Sequence, residues 1–539
     1  MSNTIAILGG GVAGLSAAHE LVQRGFQVSV YERKGDFGGK ARSVSGQPVG
    51  GAGLGDLPGE HGFRFFPGFY RHLPDTMSRI PYNTRTVAGN LLDSTRILVA
   101  HAGMPSLELL ARLPQAPTDW VLALHDLFSG IGVPDDEVLY FVDRLLLLMT
   151  SCPERRLAEY EKISWWEFIG AAARSKTYQT LLAHGLTRSL VAVRAEEGST
   201  RSVGYILLQL LYGILSPQGF DRLLTGPTSD VWLTPWVKYL GQQGVALHSG
   251  VTITEIQASA KGVTGVAAQQ NGQPITITAD YYVAAMPVEI MSGLVTGSLK
   301  TFAPALAGLS NLKVRWMNGI QFYLARDVPV APGHTLYADS PWALTSISQK
   351  QFWRDVPLSH FGGGKVGGLL SVDISEWEAP GMLVRKPAMQ CSAEEIKDEV
   401  WAELKVHLNV GGAHVIDDSN LLGWFLDPDI QFPNPSAVTN MEPLLVNTAG
   451  SLKYRPDAFT QLPNLFLASD YVKTNTDLAC MESANEAARR AVNAILRSSG
   501  SKAKPAEIWQ FWEPPAFAPL IEFDRLRFKL GLGHSLMRL

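Results

Sequence analysis

Residues 5–32, IAILGGGVAGLSAAHELVQRGFQVSVYE, decide how the rest of the chain is read. The apolar run Ile5, Ala6, Ile7, Leu8 predicts a buried parallel strand, and it leads straight into Gly9, Gly11 and Gly14 at the G-x-G-x-x-G spacing. A helix is predicted next, with Val12, Leu15, Ala18, Leu21 and Val22 on its apolar face and Gly25 as its C-terminal cap. A second strand over 27–31 ends on Glu32. In such a βαβ unit the first glycine permits a tight turn, the second lets backbone amides approach a pyrophosphate, and the third brings helix and strand together. The helix N-terminus, at Val12 and Ala13, then offers unpaired N–H groups and a favourable dipole to the phosphates. Glu32 stands 18 residues beyond Gly14. An acid there accepts hydrogen bonds from both hydroxyls of an adenosine ribose and repels a 2′-phosphate. A bound dinucleotide is expected.

With 539 residues the chain is too long for one ordinary core, so two or three domains are expected. It is 46% hydrophobic and 18% charged, with a net charge of −4 and no basic stripe, which argues against nucleic acid as a partner. Cys152, Cys391 and Cys480 are few, odd in number and far apart. A reducing compartment is expected rather than a disulfide framework. No H-E-x-x-H and no Cys/His pair at ligand spacing occurs, so no metal site is expected. The first strand lies too close to Met1 for a signal peptide, and the longest apolar run, around 145–149, is too short to span a bilayer. The expected location is cytoplasmic, at most peripheral to a membrane.

A second glycine pair follows Glu32 in Arg33-Lys34-Gly35-Asp36-Phe37-Gly38-Gly39-Lys40-Ala41-Arg42-Ser43. Nicotinamide dehydrogenases need no such pair, whereas large two-domain flavoproteins carry G-G-[RK]-x-x-[ST] at this place. Next, Gly59-Glu60-His61-Gly62-Phe63-Arg64-Phe65-Phe66-Pro67-Gly68-Phe69-Tyr70 resembles the E-x-G-L-H-I-F-F-G-A-Y stretch of phytoene desaturases, within the amine-oxidase-like flavoprotein superfamily. Near the other end, residues 469–484, SDYVKTNTDLACMESA, are similar to G-D-Y-T-K-Q-K-Y-L-A-S-M-E-G-A of the same proteins, with one residue more between Lys473 and Leu478.

The resemblance implies FAD as cofactor. The backbone at Gly62, Phe63 and Arg64 would pass the flavin ring, Asp470 would bond the ribityl chain, and the helix start at Leu478 and Met481 would point at the pyrimidine. Val251, opening a strand, would hold the adenine side through its backbone. Tyr281 to Ala285, followed by Met286-Pro287, resembles the D-x-V-V-x-A-x-P element. Two departures stand out: Arg64 replaces histidine and Ser469 replaces glycine. Arg64 is the one catalytic candidate, as a fixed cation beside a reduced flavin, with a salt bridge to Glu60 as its structural alternative.

The implied fold is α/β: a Rossmann-type FAD-binding domain from 1–75, 225–300 and 440–500, and a discontinuous α+β substrate domain from 76–224 and 301–439. An aromatic and basic tail covers 501–539. In the substrate domain, Ser164 and Glu167 have capping-box form and 202–215 is almost continuously apolar. Residues 313–324 read as an alternating strand. Ser392 and Glu395 open a helix over Ile396, Val400, Leu404 and Leu408, with Gly411 at its end.

The expected activity is removal of hydride from a largely apolar, isoprenoid- or lipid-like substrate, with oxygen or a quinone as electron acceptor. Amine oxidation is the alternative, with Lys313 or Lys365 holding a water near the flavin. Double-bond isomerisation without net redox is a further one, and a flavin-stabilised scaffold without turnover a fourth. Trp509, Phe511, Trp512 and Phe517, followed by Arg525, Arg527 and Lys529, suit either a membrane headgroup interface or a domain-bridging tail.

Overall fold

The strand Thr4–Leu8 lies at the centre of a five-stranded, wholly parallel sheet. Its neighbours are Gln27–Tyr31 and then Ala246–His248 on one side, and Tyr281–Ala284 and then Leu465–Leu467 on the other. Of the central strand only Thr4 is not fully buried, as expected of a strand covered on both faces. The helix Val12–Val22 follows directly and packs on Met481–Ser499, the longest helix described. Alanines make that approach close: Ala17 and Ala18 on one helix, and Ala487, Ala488 and Ala491 on the other, are completely buried. The computed structural model describes residues 3–44, 56–109, 117–129, 131–214, 221–434 and 437–538. Leu215, which ends the apolar run, and the terminal Leu539 lie outside them.

A three-stranded antiparallel sheet, Val251–Ser259, Gly262–Gln270 and Gln273–Ile277, extends the strand that Val251 opens into a meander. The second large layer is a seven-stranded sheet. From one edge it runs through Met104–Leu109, Ile97–His101, Thr335–Tyr337, Thr345–Ser348, Gly368–Ile374, Asn318–Leu324 and Leu421–Leu426. The helices between 117 and 214 form a separate apolar core around Phe141, Trp165 and Leu208.

Several local expectations are corrected. Residues 313–324 do not form one alternating strand: Lys313–Arg315 pairs with Leu444–Val446, and Asn318–Leu324 lies between Gly368–Ile374 and Leu421–Leu426 in the large sheet, buried at every position. Burial on both faces removes the reason for alternation. Ser164 accepts from Glu167 N at 3.1 Å, but the helix it opens is only Trp165–Phe168. Ser392 makes the full reciprocal box with Glu395. The helix it opens ends at Asn409, ahead of Gly411, and the Asn409 side chain accepts from Val415 N and Ile416 N. The last large helix begins at Met481 rather than Leu478.

The tail is mainly a bridge. Phe517 is buried against Trp120, Phe511 packs edge-on to Phe69 and Tyr205, and Trp509 N donates to His72 Nε2 at 2.9 Å. The tail helix Ala518–Lys529 is clamped by Asp524, 1% exposed, which accepts from Cys152 N at 2.8 Å and Arg155 Nε at 2.9 Å. Phe517 is therefore not available to a lipid surface, Trp509 and Phe511 are half-buried, and Trp512 is 45% exposed.

Candidate functional site

The C-terminal ends of the parallel strands open into a cavity of about 470 Å³, where open α/β sheets place their ligands. The first glycine turn forms its floor. Gly9 has φ +115°, and a Cβ there would lie 2.8 Å from Ala285 O; a Cβ on Gly14 would lie 1.9 Å from Gly9 O. Gly14 thus permits the helix–strand contact without lining the cavity. Gly9, Gly11, Val12, Ala13 and Ala285 do line it. The helix start carries no side-chain cap and no acid in its first turn, which leaves its leading N–H groups to an anion.

Glu32 is buried at the cavity wall, with Oε2 accepting from Gly10 N at 2.7 Å and Oε1 from Lys34 N at 2.9 Å. Each oxygen keeps a second lone pair for a ribose hydroxyl. The second glycine pair clasps the first: Gly38 N donates to Gly10 O at 2.8 Å, and a Cβ on Gly39 would lie 3.0 Å from Gly11 Cα. Arg33, Gly38, Gly39, Lys40 and Ala41 line the cavity. Lys34 does not; its ammonium pairs with Asp429 at 3.1 Å and with Glu442. Val251 lines the cavity, but its N–H already donates to Glu32 O at 2.8 Å. Thr252 and Ile253 lie beside it on the wall.

His61, Asp429 and Glu442 bring ligand atoms within 4.8 Å of one another, the geometry of a possible cation site. Lys34 and Arg42 both pair with Asp429 and Glu442, and Arg33 also pairs with Glu442. Protein cations thus already neutralise these acids.

The stretch after Gly59 crosses the cavity as the resemblance implies, with Gly62, Phe63 and Arg64 on the wall. Arg64 forms no salt bridge to Glu60 or to any other carboxylate among the described residues. Its guanidinium donates to the carbonyls of Phe63 at 3.2 Å, Ala41 at 3.4 Å and Lys40. Glu60 instead accepts from Thr228 N and Ser43 Oγ, each at 2.9 Å, and burial raises its carboxyl above the usual range.

Asp470, Leu478 and Met481 line the opposite wall. Arg455, almost wholly buried, holds the Asp470 turn by donating to the carbonyls of Asp470 at 3.0 Å, Tyr471 at 3.0 Å and Val472 at 2.8 Å. It also pairs with Asp477. Asp477, at φ +48° in the loop that carries the extra residue, accepts from Arg201 Nη1 at 2.6 Å and from Ser202 Oγ. That loop therefore ties the cofactor wall to the helix Thr200–Ile214. Cys480 beside it is half-buried, and desolvation pushes its thiol up to about 12, so it stays neutral.

The sequence suggested that the Leu- and Trp-rich stretches from 120 to 240 supply an apolar pocket but named no individual lining residue. Ile206 and Leu210, one turn apart on the helix Thr200–Ile214, line the cavity, as do Phe69, Tyr70, Met317 and Leu444. The apolar run marked the helix without saying which face is lining. Asp373 also reaches the cavity. A lone acid in the apolar string Gly368–Ile374 is a signal that could have found it. Lys313 is exposed and pairs with Glu197 at 3.2 Å, and Lys365 is exposed. Neither lines the cavity.

The family described as flavin containing amine oxidoreductase matches residues 12–496. Zeta-carotene desaturase of Synechocystis sp. is 23% identical over 533 residues, covering 91% of this chain and 97% of that protein. Putrescine oxidase with bound putrescine shares the fold at TM-score 0.60 and 12% identity, over 92% of this chain and 99% of that one. Cyclohexylamine oxidase from Brevibacterium oxydans does so at 0.60 and 14%, over 93% and 100%. An oxidoreductase from Methanosarcina mazei matches at 0.57 and 13%, over 92% and 100%. The glycine cradle, the open helix N-terminus and the buried ribose acid fit the cofactor of such proteins, and the chain belongs to the flavin containing amine oxidoreductase family as a phytoene desaturase-like, FAD-dependent oxidoreductase.

Proposed function

We propose that this enzyme takes hydride from a largely apolar, isoprenoid- or lipid-like substrate. The observation that carries this reading is the apolar part of the cavity lining, to which Phe69, Tyr70, Ile206, Leu210, Met317 and Leu444 contribute along with Arg64. Such a lining excludes water and orients a substrate with few polar anchors. The name of the Synechocystis relative points the same way. FAD, when bound, supplies a two-electron acceptor for the hydride. Glu32 would hold its ribose, the amides at Val12 and Ala13 its pyrophosphate, and Asp470 its ribityl chain. Arg64, anchored by three carbonyls and free of a paired acid, would place positive charge where the reduced ring carries negative charge. Oxygen or a quinone would take the electrons onward. We also assign residues 1–75, 225–300 and 440–500 to the cofactor domain and 76–224 with 301–439 to the substrate domain.

The test is anaerobic rapid mixing of the FAD-loaded enzyme with zeta-carotene in detergent micelles, and separately with putrescine and cyclohexylamine. Bleaching of the oxidised flavin band by the polyene alone is the expected result. Bleaching by the amines alone would replace this reading with amine oxidation.

No described helix is long and apolar enough to cross a membrane. The tail helix nonetheless leaves Leu520, Phe523, Leu526 and Leu530 between 42% and 73% exposed, at helical spacing on one face. The helix Asp135–Thr150, on which it packs, exposes Leu139 as well. With Arg527 and Lys529 beside them, these side chains suit an anionic lipid surface. Replacing Phe523, Leu526 and Leu530 together by serine is expected to abolish flotation with anionic liposomes and to leave FAD binding intact. Equal flotation of variant and parent removes this face from consideration.

A further inference from the structure

Asp373 is buried to 6% exposure on the strand Gly368–Ile374, in register with Gly319 on one neighbouring strand and Thr345 on the other. The two glycines around it let its carboxylate reach the cavity. A Cβ on Gly62 would lie 2.6 Å from Asp373 Oδ1, and a Cβ on Gly319 would lie 2.7 Å from Gly62 Cα. The carboxylate therefore rests on the backbone that runs along the cavity from Gly62 to Arg64.

Several other buried acids of this chain are compensated at close range, Asp524 by Arg155, Asp477 by Arg455 and Arg201, and Glu482 by three backbone amides; Glu60 and Glu403 also lack an ion pair among the described residues, but neither lines the cavity. Among the described residues Asp373 has no ion pair and one hydrogen bond, from Phe63 N at 3.2 Å. An acid kept this dry with so little compensation is costly to the fold and is the kind of group found where protons move.

We propose that Asp373 is the proton acceptor of the reaction, working on the substrate carbon next to the one that gives up hydride. This rests on the dehydrogenation proposed above. Two C–H bonds on neighbouring carbons break. One leaves as hydride and carries both electrons to the oxidised flavin. The other leaves its electron pair behind as the new C=C π bond, and its proton goes to Asp373, which becomes a carboxylic acid and returns the proton to solvent before the next turnover.

The charges facing Asp373 suit that task. Arg64 and His61 approach from the cavity segment and His334 from the loop before Thr335–Tyr337; all three favour the ionised form, and burial opposes them. Behind them stand Glu60, Asp427 at 2.6 Å from His61 Nδ1, and Asp221 at 3.9 Å from His334 Nδ1. Burial wins and lifts the carboxyl to about 6, close to where a base is most effective at neutral pH. The base must be ionised to act, so the rate is expected to rise with pH through about 6.

Asp373→Asn keeps an oxygen acceptor for Phe63 N, so a purely structural role survives the change. In the FAD-loaded variant, flavin content is expected to match the parent. The flavin midpoint potential is expected to lose a pH-dependent inflection that the parent shows near the Asp373 pKa, because that carboxyl no longer titrates beside the ring. Reduction by zeta-carotene in micelles is expected to slow by about 10²–10⁴-fold, the usual worth of a positioned base. An unchanged potential profile, or reduction at the parent's rate, overturns the assignment. If zeta-carotene fails to reduce the parent, the substrate reading fails, and the potential profile of the two proteins still decides for or against Asp373.

Discussion

Glu482→Ala is expected to lower the unfolding free energy by about 3–5 kcal/mol, the cost of breaking a buried charged network from one side. Glu482 is 1% exposed in the first turn of Met481–Ser499. It points away from its own helix and accepts from Arg71 N and His72 N at 2.7 Å and from Leu73 N at 2.9 Å. Those amides begin the helix His72–Ser78, whose Arg71 cap supplies no side-chain acceptor of its own. Removing the carboxylate would leave three buried donors without partners, each costing about 1–3 kcal/mol before relaxation. His72 adds a fourth link. Trp509 N donates to its Nε2, so the ring proton sits on Nδ1 and faces Glu482 at 2.7 Å. One carboxylate thus joins the last helix, the cavity segment ending at Tyr70, and the tail. Urea denaturation followed by tryptophan fluorescence measures the loss. Glu482→Gln keeps an acceptor and is expected to cost about half as much or less. If alanine costs under 1 kcal/mol, the capping role assigned to Glu482 is wrong.

The cofactor half of the molecule was legible because its determinants are backbone requirements written in short runs. Gly9, Gly11 and Gly14 are needed where a Cβ would strike Ala285 O or Gly9 O, and that need shows as spacing. Glu32 follows because one strand of known length ends there. The rest of the chain is different in kind. Its seven-stranded sheet pairs Ile97–His101 with Thr335–Tyr337 across more than two hundred residues, and no local pattern encodes such a partnership. Burial on both faces erased the alternation expected for 313–324. Arg64 was noticed only as a departure from a motif; that its guanidinium is held by Lys40, Ala41 and Phe63 carbonyls depends on the fold of two glycine turns. The cluster of His61, Asp429 and Glu442 with Lys34 and Arg42 joins positions about four hundred residues apart, so neither its acids nor its neutralising cations could be read together. In the tail, the composition was visible and the direction was not. Phe517 turns inward onto Trp120 and Phe523 outward, on a helix that Asp524 pins to Arg155.

Glu32→Arg is expected to weaken FAD binding by about 10³-fold or more. Two ribose hydroxyls donating to a charged acceptor contribute about 1.5–3 kcal/mol each, and every 1.4 kcal/mol is tenfold in Kd. The substitution also removes the acceptor of Gly10 N and Lys34 N, both at the turn that shapes the phosphate site. Space is short: a Cβ on Gly10 would already lie 2.9 Å from Glu32 Cβ. An arginine must therefore swing toward the cavity or displace the turn. It would also meet Arg33 on the same wall, with Lys34 and Arg42 committed to Asp429 and Glu442 nearby. A gain from attraction to the pyrophosphate is a screened contact worth about 1 kcal/mol or less, too small to restore two charge-assisted bonds. Glu32→Gln retains one acceptor oxygen and the shape of the side chain, so about a tenfold loss is expected. Titration of FAD into the flavin-free proteins, followed by quenching of flavin fluorescence, gives both constants, and far-UV circular dichroism checks that each variant is folded. A folded Glu32→Arg protein with the parent's Kd would show that the ribose is held elsewhere, and the assignment of the dinucleotide to this βαβ unit would fall with it.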